Sequence, residues 1–238
     1  MNGLEPNSVH RDTWRLLLAP ALTVIDSLQT NGYGALDFRL GGGTVLMFRF
    51  DHRISKDVDV FTYDAQALSY ISPRLNEVSE GIARMYEEHA NVVKLLLAQG
   101  DIDFIVAAPV IPNAACETME FDGRMIALDA TSEILAKKLL YRAESFKARD
   151  VFDMSTVLAL DRPSAITALR ATTSTRPALL QRLVAMAKIS EHDLMAGIVA
   201  TDTGRPYGTD MVARLLAVIA EIDAAHDTRK DRQGGAGA

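Results

Sequence analysis

Apolar positions in the first half of the chain follow two periods, and each period predicts an element. Trp14, Leu17, Leu18, Leu22, Ile25 and Leu28 recur at mixed three- and four-residue spacings. That spacing predicts an amphipathic helix over residues 11–28, kinked or restarted at Pro20. Asn31-Gly32-Tyr33-Gly34 ends it, and the apolar run 35–40 reads as a strand. Gly41-Gly42-Gly43-Thr44 then forms a turn, with Val45-Leu46-Met47-Phe48 starting a short helix. Residues 57–61 alternate acid with apolar side chain and predict a strand; residues 65–83 read as helical. Two β-rich runs, 91–98 and 101–107, are separated by Gln99-Gly100, a hairpin signal. A second hairpin is expected to turn at Asp122-Gly123, between 118–121 and 124–128.

After Asp129 the strand signals stop. Helical stretches follow at 132–146, 150–160, 164–172, 177–188, 191–200 and 210–225, with Thr131 and Glu133 suited to the first helix start. The expected organisation is α+β: a catalytic domain over residues 1–130 and a helical domain over 131–226. Residues 227–238, charged and then Gly/Ala-rich, read as a disordered tail.

Composition narrows the chemistry. The chain has 238 residues, 48% of them apolar, with room for a core in one or two domains. Its single cysteine, Cys116, excludes a disulfide framework and a Cys-rich zinc module, and points to a reducing cytoplasm. The five histidines show no His-x-x-x-His pair. The longest apolar stretch, 16–25, is too short to span a bilayer, so no membrane role is expected. The first residues lack a basic segment followed by an apolar one, which argues against secretion. The net charge of −6 conceals an asymmetry. Residues 1–130 hold 10 Lys+Arg against 18 Asp+Glu, a net of −8; the remainder carries a net of +2.

The acids of the first half repeat a pattern. In Asp57-Val58-Asp59-Val60-Phe61, strand alternation puts both carboxylates on one face and both valines on the other. Such neighbours repel unless a cation lies between them, and hard oxygen ligands suit Mg²⁺ or Mn²⁺. Asp101-Ile102-Asp103 repeats the motif. If that strand lies beside the first, Asp103 adds a third carboxylate, enough for two metal ions and an in-line displacement at phosphorus. A lone Asp-x-Asp is common on exposed edges, and Asp101 alone reads equally as a turn residue. The upstream glycines let backbone approach a phosphate, and amides at the following helix start are anion donors. Neither a Walker A loop nor a Gly-x-Gly-x-x-Gly motif is present.

Leu40-Gly41-Gly42-Gly43-Thr44-Val45-Leu46, followed by Arg53-Ile54-Ser55-Lys56-Asp57-Val58-Asp59-Val60-Phe61, resembles the nucleotidyltransferase signature of the AbiEii/AbiGii toxin family. That family belongs to the DNA polymerase β-like superfamily. The resemblance extends to residues 133–139 and to Arg149-Asp150-Val151-Phe152-Asp153-Met154, so it covers about 35–160. It implies a polymerase β-like mixed sheet with flanking helices, followed by a helical bundle. It also implies catalytic roles for Asp57, Asp59, Asp103, Lys138 and Asp150, with Asp153 in support. Metal would sit on Asp57, Asp59 and Asp103, and the nucleotide against Gly42, Gly43, Thr44, Arg53, Ser55 and Lys138. The implied reaction moves an NMP from an NTP to a macromolecular acceptor, RNA and foremost tRNA, with Mg²⁺ or Mn²⁺ as cofactor. A separately encoded antitoxin is an implied partner.

Lys137, Lys138, Arg142, Lys147 and Arg149 form a basic segment that could face a triphosphate or a nucleic-acid backbone. Its plainer reading is a solvated helix surface, and Asp150 with Asp153 reads equally as part of a buried ion-pair network. Two other functions remain open at this stage: an antibiotic-type transferase acting on small molecules, and a non-catalytic binding module. No Gly-x-Ser-x-Gly elbow is present, and neither Cys116 nor His52 has a partner pattern for nucleophilic chemistry.

Overall fold

The computed structural model describes residues 12–234. They divide into two compact units. The first holds residues up to Pro109 together with Asn113–Ala130, and the second holds Val110–Pro112 and the chain from Thr131.

The first unit is a seven-stranded mixed sheet with helices. Its elements are α1 (Thr13–Thr30), β1 (Arg39–Leu40), α2 (Gly42–Phe50), β2 (Val58–Thr62), α3 (Ala67–Ile71) and α4 (Glu77–Ile82), then β3 (Met85–His89), β4 (Val92–Leu96), β5 (Asp101–Val106), β6 (Glu117–Phe121) and β7 (Arg124–Leu128). The spatial order is β3-β4-β5-β2-β1-β7-β6. β2 runs parallel to β5 and antiparallel to β1, and β1 runs parallel to β7. Val58 and Val60 on β2 and Ile102 and Phe104 on β5 are buried. They form the core with the Leu17, Leu18, Leu22 and Ile25 stripe of α1. Trp14 of α1 packs edge-on against Phe48 of α2, with centroids 4.5 Å apart.

Four local outcomes in this unit differ from the sequence pattern. α1 runs through Pro20 without a break. The carbonyl that Pro20 leaves unbonded belongs to Leu16, which is 60% exposed, so water is at hand. Residues 65–83 form two short helices rather than one. Ser72, held extended (φ −54°, ψ 131°) ahead of Pro73, stops α3. Asn76 then caps α4, accepting from the amides of Val78 and Ser79. The 35–40 run shrinks to Arg39–Leu40. Strand β3 has no counterpart in the sequence reading, because an exposed edge strand such as Met-Tyr-Glu-Glu-His shows no apolar alternation. Both anticipated hairpins are present, and Asp122 and Gly123 adopt positive φ (49° and 75°) as a two-residue turn requires.

The second unit is helical: α5 (Thr131–Arg142), α6 (Ala148–Leu160), α7 (Arg162–Ala171), α8 (Arg176–Met186), α9 (Glu191–Met195) and α10 (Met211–Gly234). Residues 110–112 join it because the buried Glu133 carboxylate accepts from the Val110 and Ile111 amides, at 3.0 and 2.8 Å. α10 extends past residue 227, where a loose tail was expected. Once its Leu215, Val218, Ile219 and Ile222 face is packed, each added residue needs only one further backbone bond. Residues 235–238 of the expected tail lie outside the described residues. No helix among the described residues is long and apolar enough to cross a membrane.

Candidate active site

Strand pairing brings the acids together. Asp59 on β2 lies directly opposite Asp103 on β5 in the parallel register. Val58 and Val60 take the core side, so the two-residue period leaves Asp59 on the other face, with Asp57 one residue before the strand. Beyond Asp103 the next strand presents Lys94, opposite it in the antiparallel β4–β5 register. The lysine ammonium lies 2.8 Å from Asp103 Oδ1 and 3.2 Å from Asp101 Oδ2. Its aligned hydrogen bonds go to Asp103 Oδ2 and Asp101 Oδ2, whereas Asp103 Oδ1 is buried without one.

This face is electrostatically uneven. Burial first, and then the charge of Asp59, push the Asp103 carboxyl up to about 6; Lys94 pulls the other way and Asp57 adds to the rise. Burial opposes the charge on Lys94, but Asp103 and Asp101 outweigh it and hold its pKa above the ordinary lysine value. Because the folded pKa of Asp103 is raised, its contribution favours folding below about pH 4 and is lost as pH rises through about 6. Asp103→Asn removes that titration. In metal-free buffer the stability of the variant relative to wild type should therefore climb between about pH 4 and pH 6 and level off above, by up to roughly 3 kcal/mol. Urea denaturation across pH measures it; a difference independent of pH would mean that Asp103 carries no such repulsion.

The glycine turn is built around Asp59. Gly42 opens α2 with φ +66°, and a Cβ there would sit 1.7 Å from Asp59 Oδ2. At Gly43 a Cβ would meet the Arg53 guanidinium at 2.5 Å and Ser55 Oγ at 2.9 Å. Thr44 is buried and donates its hydroxyl to the Asp57 carbonyl, and the Gly41 amide donates to the Asp59 carbonyl at 3.1 Å. The turn, Arg53, Ser55, Asp57 and Asp59 are thus one packed assembly, with the first amides of α2 beside the acids. Gly42→Ala must move Asp59 and adopt a disfavoured φ. We expect about 1–2 kcal/mol of lost stability from the backbone and a fall of about 100-fold in any activity that relies on the displaced carboxylate. Gly81→Ala, where an added Cβ meets nothing within 4 Å, is the control that should leave that activity unchanged.

A family model, Nucleotidyl transferase AbiEii toxin, Type IV TA system, matches residues 29–198. The chain belongs to that family. It is accordingly a nucleotidyltransferase of a toxin–antitoxin system. The stretch matched holds the glycine turn, both Asp-x-Asp strands and helices α2 to α9. This AbiEii family chain is also similar in structure to the antibiotic-resistance factor ANT(2″)-Ia, at 16% identity and a TM-score of 0.49, over 75% of this chain and 97% of that one. MenT4, a nucleotidyltransferase toxin from Mycobacterium tuberculosis, is similar at 17% identity and a TM-score of 0.45, over 91% and 99% of the two chains. Comparison with curated proteins gives no match.

The later residues expected at the site lie in the helical unit, where they form their own cluster. Lys138 of α5 is 2.7 Å from Asp150 Oδ1 and 3.0 Å from Asp153 Oδ2, both on α6. Arg142 lies 3.6 Å from Asp150, whose second oxygen accepts the Lys147 amide at 3.1 Å and so caps α6. Burial pushes the Asp150 carboxyl up, but Lys138 and Arg142 outweigh it and hold it below the usual carboxylate range. Lys137 is equally buried, 3.6 Å from Glu133. A solvated surface is therefore not the setting of these two lysines, and the exposed part of the basic segment narrows to its later residues. Lys94 is the residue the sequence reading passed over. A single charge inside the apolar run Val92-Val93-Lys94-Leu95-Leu96 was the available signal.

Proposed function

We propose that this AbiEii family nucleotidyltransferase moves a nucleoside monophosphate from an NTP to an RNA acceptor, tRNA foremost, in a reaction that depends on Mg²⁺, with Mn²⁺ as a substitute. An acceptor hydroxyl would attack the α-phosphorus as the bond to the departing pyrophosphate breaks, and the hydroxyl proton passes to solvent or a site base. The observation that carries the reading is the Asp59–Asp103 register beside the Gly42–Thr44 turn.

Among the described residues no three acidic, histidine or cysteine side chains converge on one point as a finished metal site. The donor set nevertheless suits a divalent cation: Asp57, Asp59 and Asp103 offer hard oxygens on one face, and Asp103 is raised by burial and then by the charge of Asp59. These three residues would hold the ion. Bound there, it supplies positive charge against the reacting phosphate.

The chain's own groups do the rest. The amides that open α2 would receive phosphate oxygens, and Gly42 leaves space for Asp59 beside them. Thr44 fixes the backbone of Asp57, and Arg53 and Ser55 back Gly43. The family motif gives Lys138 and Asp150 a part in handling the nucleotide, and a separately encoded antitoxin would restrain the enzyme. The net positive charge of the helical half supports a polyanionic acceptor.

The test incubates the protein with each α-labelled NTP in turn, Mg²⁺ and total RNA. Label should enter RNA from one NTP and be released by ribonuclease. Label appearing only in a small-molecule product, or in none, would overturn the RNA reading.

A further inference from the structure

Lys94 stands out because its ammonium lies against the carboxylate expected to be the third metal ligand. Asp59, Asp103 and Lys94 form one row across three adjacent strands, fixed by the β2–β5 and β4–β5 registers. Val93 and Leu95 on either side of Lys94 are buried in the core. The strand period therefore places Lys94 on the acid face, where it is 25% exposed. Its ammonium lies within 2.8 and 3.1 Å of the two oxygens of Asp103 and 3.2 Å from Asp101. Asp101 and Asp103 thus share this part of the face with Lys94, in the same row as Asp59. The lysine's two contacts go to the β5 pair, on the side of Asp103 away from β2.

We propose that Lys94 is a positioning residue that takes the place of one divalent ion. It holds Asp103 and Asp101 as its own counter-ions, so that the acid face binds a single divalent ion, centred on Asp57 and Asp59. An ammonium this close to both oxygens of Asp103 neutralises that carboxylate and repels a second cation from it. The tie fixes Asp103 in orientation and limits it to a supporting role toward the ion on β2. The inference rests on the reading that Asp57 and Asp59 bind a divalent cation, and goes beyond it in assigning the number of ions and the residue that sets it.

The test counts Mn²⁺ by electron paramagnetic resonance titration on the full chain without nucleotide, for wild type, Lys94→Met, Lys94→Arg and Asp59→Asn. Wild type should bind one ion, and Asp59→Asn none. Lys94→Met, which keeps the length of the side chain and loses the charge, should bind two, with the first held about tenfold more tightly once the neighbouring positive charge is gone. Lys94→Arg should restore the single ion, which a purely structural loss at this position would not explain. A metal-free thermal melt of Lys94→Met should fall and recover on adding Mn²⁺, showing that the variant folds. Two ions on the wild type, or one Asp59-dependent ion with the same affinity in wild type and Lys94→Met, would overturn the role of Lys94 and leave the metal reading standing. No Asp59-dependent ion on any of the proteins would overturn both.

Discussion

Asp59→Asn is expected to lower nucleotide transfer by about 1,000-fold or more, with no loss of thermal stability. Charge stabilisation at a transferring phosphoryl group is worth several kcal/mol, and each 1.36 kcal/mol is tenfold in rate. Stability should hold because Asp59 is a source of strain in the metal-free protein. It faces Asp103 across the β2–β5 pair, and its charge helps to push the Asp103 carboxyl up. Neutralising Asp59 removes that repulsion, so the Asp103 pKa should fall towards the ordinary value, as NMR titration would show. Asp57→Ala with Asp59→Ala should abolish transfer as well. If a labelled-NTP assay finds transfer persisting in the double variant, the acid face is not where the reaction occurs. If activity and melting temperature fall together, the acids serve the fold.

Lys138→Met should have the largest effect on stability, about 3–5 kcal/mol. The side chain is 7% exposed and lies between Asp150 and Asp153, both wholly buried. Removing the cation leaves two carboxylates in the interior of the helical unit with Arg142 near one of them. The Asp150 carboxyl is held below its usual range, so this stabilisation is present above the ordinary carboxylate pKa and is lost as pH falls through the lowered one. Chemical denaturation at neutral pH measures the loss. The neutral triple variant Lys138→Met, Asp150→Asn, Asp153→Asn separates structure from chemistry. Stability should return in it, since well-packed neutral groups often replace a buried ion network without penalty. If transfer returns too, the cluster serves only the fold; if stability returns without transfer, the family motif marks residues that act on the nucleotide.

The site was legible in the sequence to the extent that its chemistry follows a strict period. Asp57 and Asp59 share a face because a strand has a period of two, whatever it pairs with. The same rule reveals Lys94 only after β4 has been placed beside β5, since nothing in Val92-Val93-Lys94-Leu95-Leu96 says which residue lies opposite. Lys138 shows the converse. On a helix wheel it shares a face with Arg142 and looks like surface charge, yet α6 brings two acids to it and removes it from water. Glycine was similarly ambiguous. Three in a row announce a tight turn, but that Gly42 is needed for the approach of Asp59 depends on a carboxylate that lies 17 residues further along the chain.

The sequence by itself determined the α+β class, both hairpins, the two Asp-x-Asp strands and the change to an all-helical second half. All of these follow from short-range periodicity and turn chemistry, which act within a few residues of the chain. Only the tertiary structure decided that Asp103 lies opposite Asp59, that Lys94 is its cation, and that Lys138 is buried between Asp150 and Asp153. Each of these is a meeting of residues on separate elements. Strand register and helix packing are chosen by the burial of the whole core, and local pattern constrains neither.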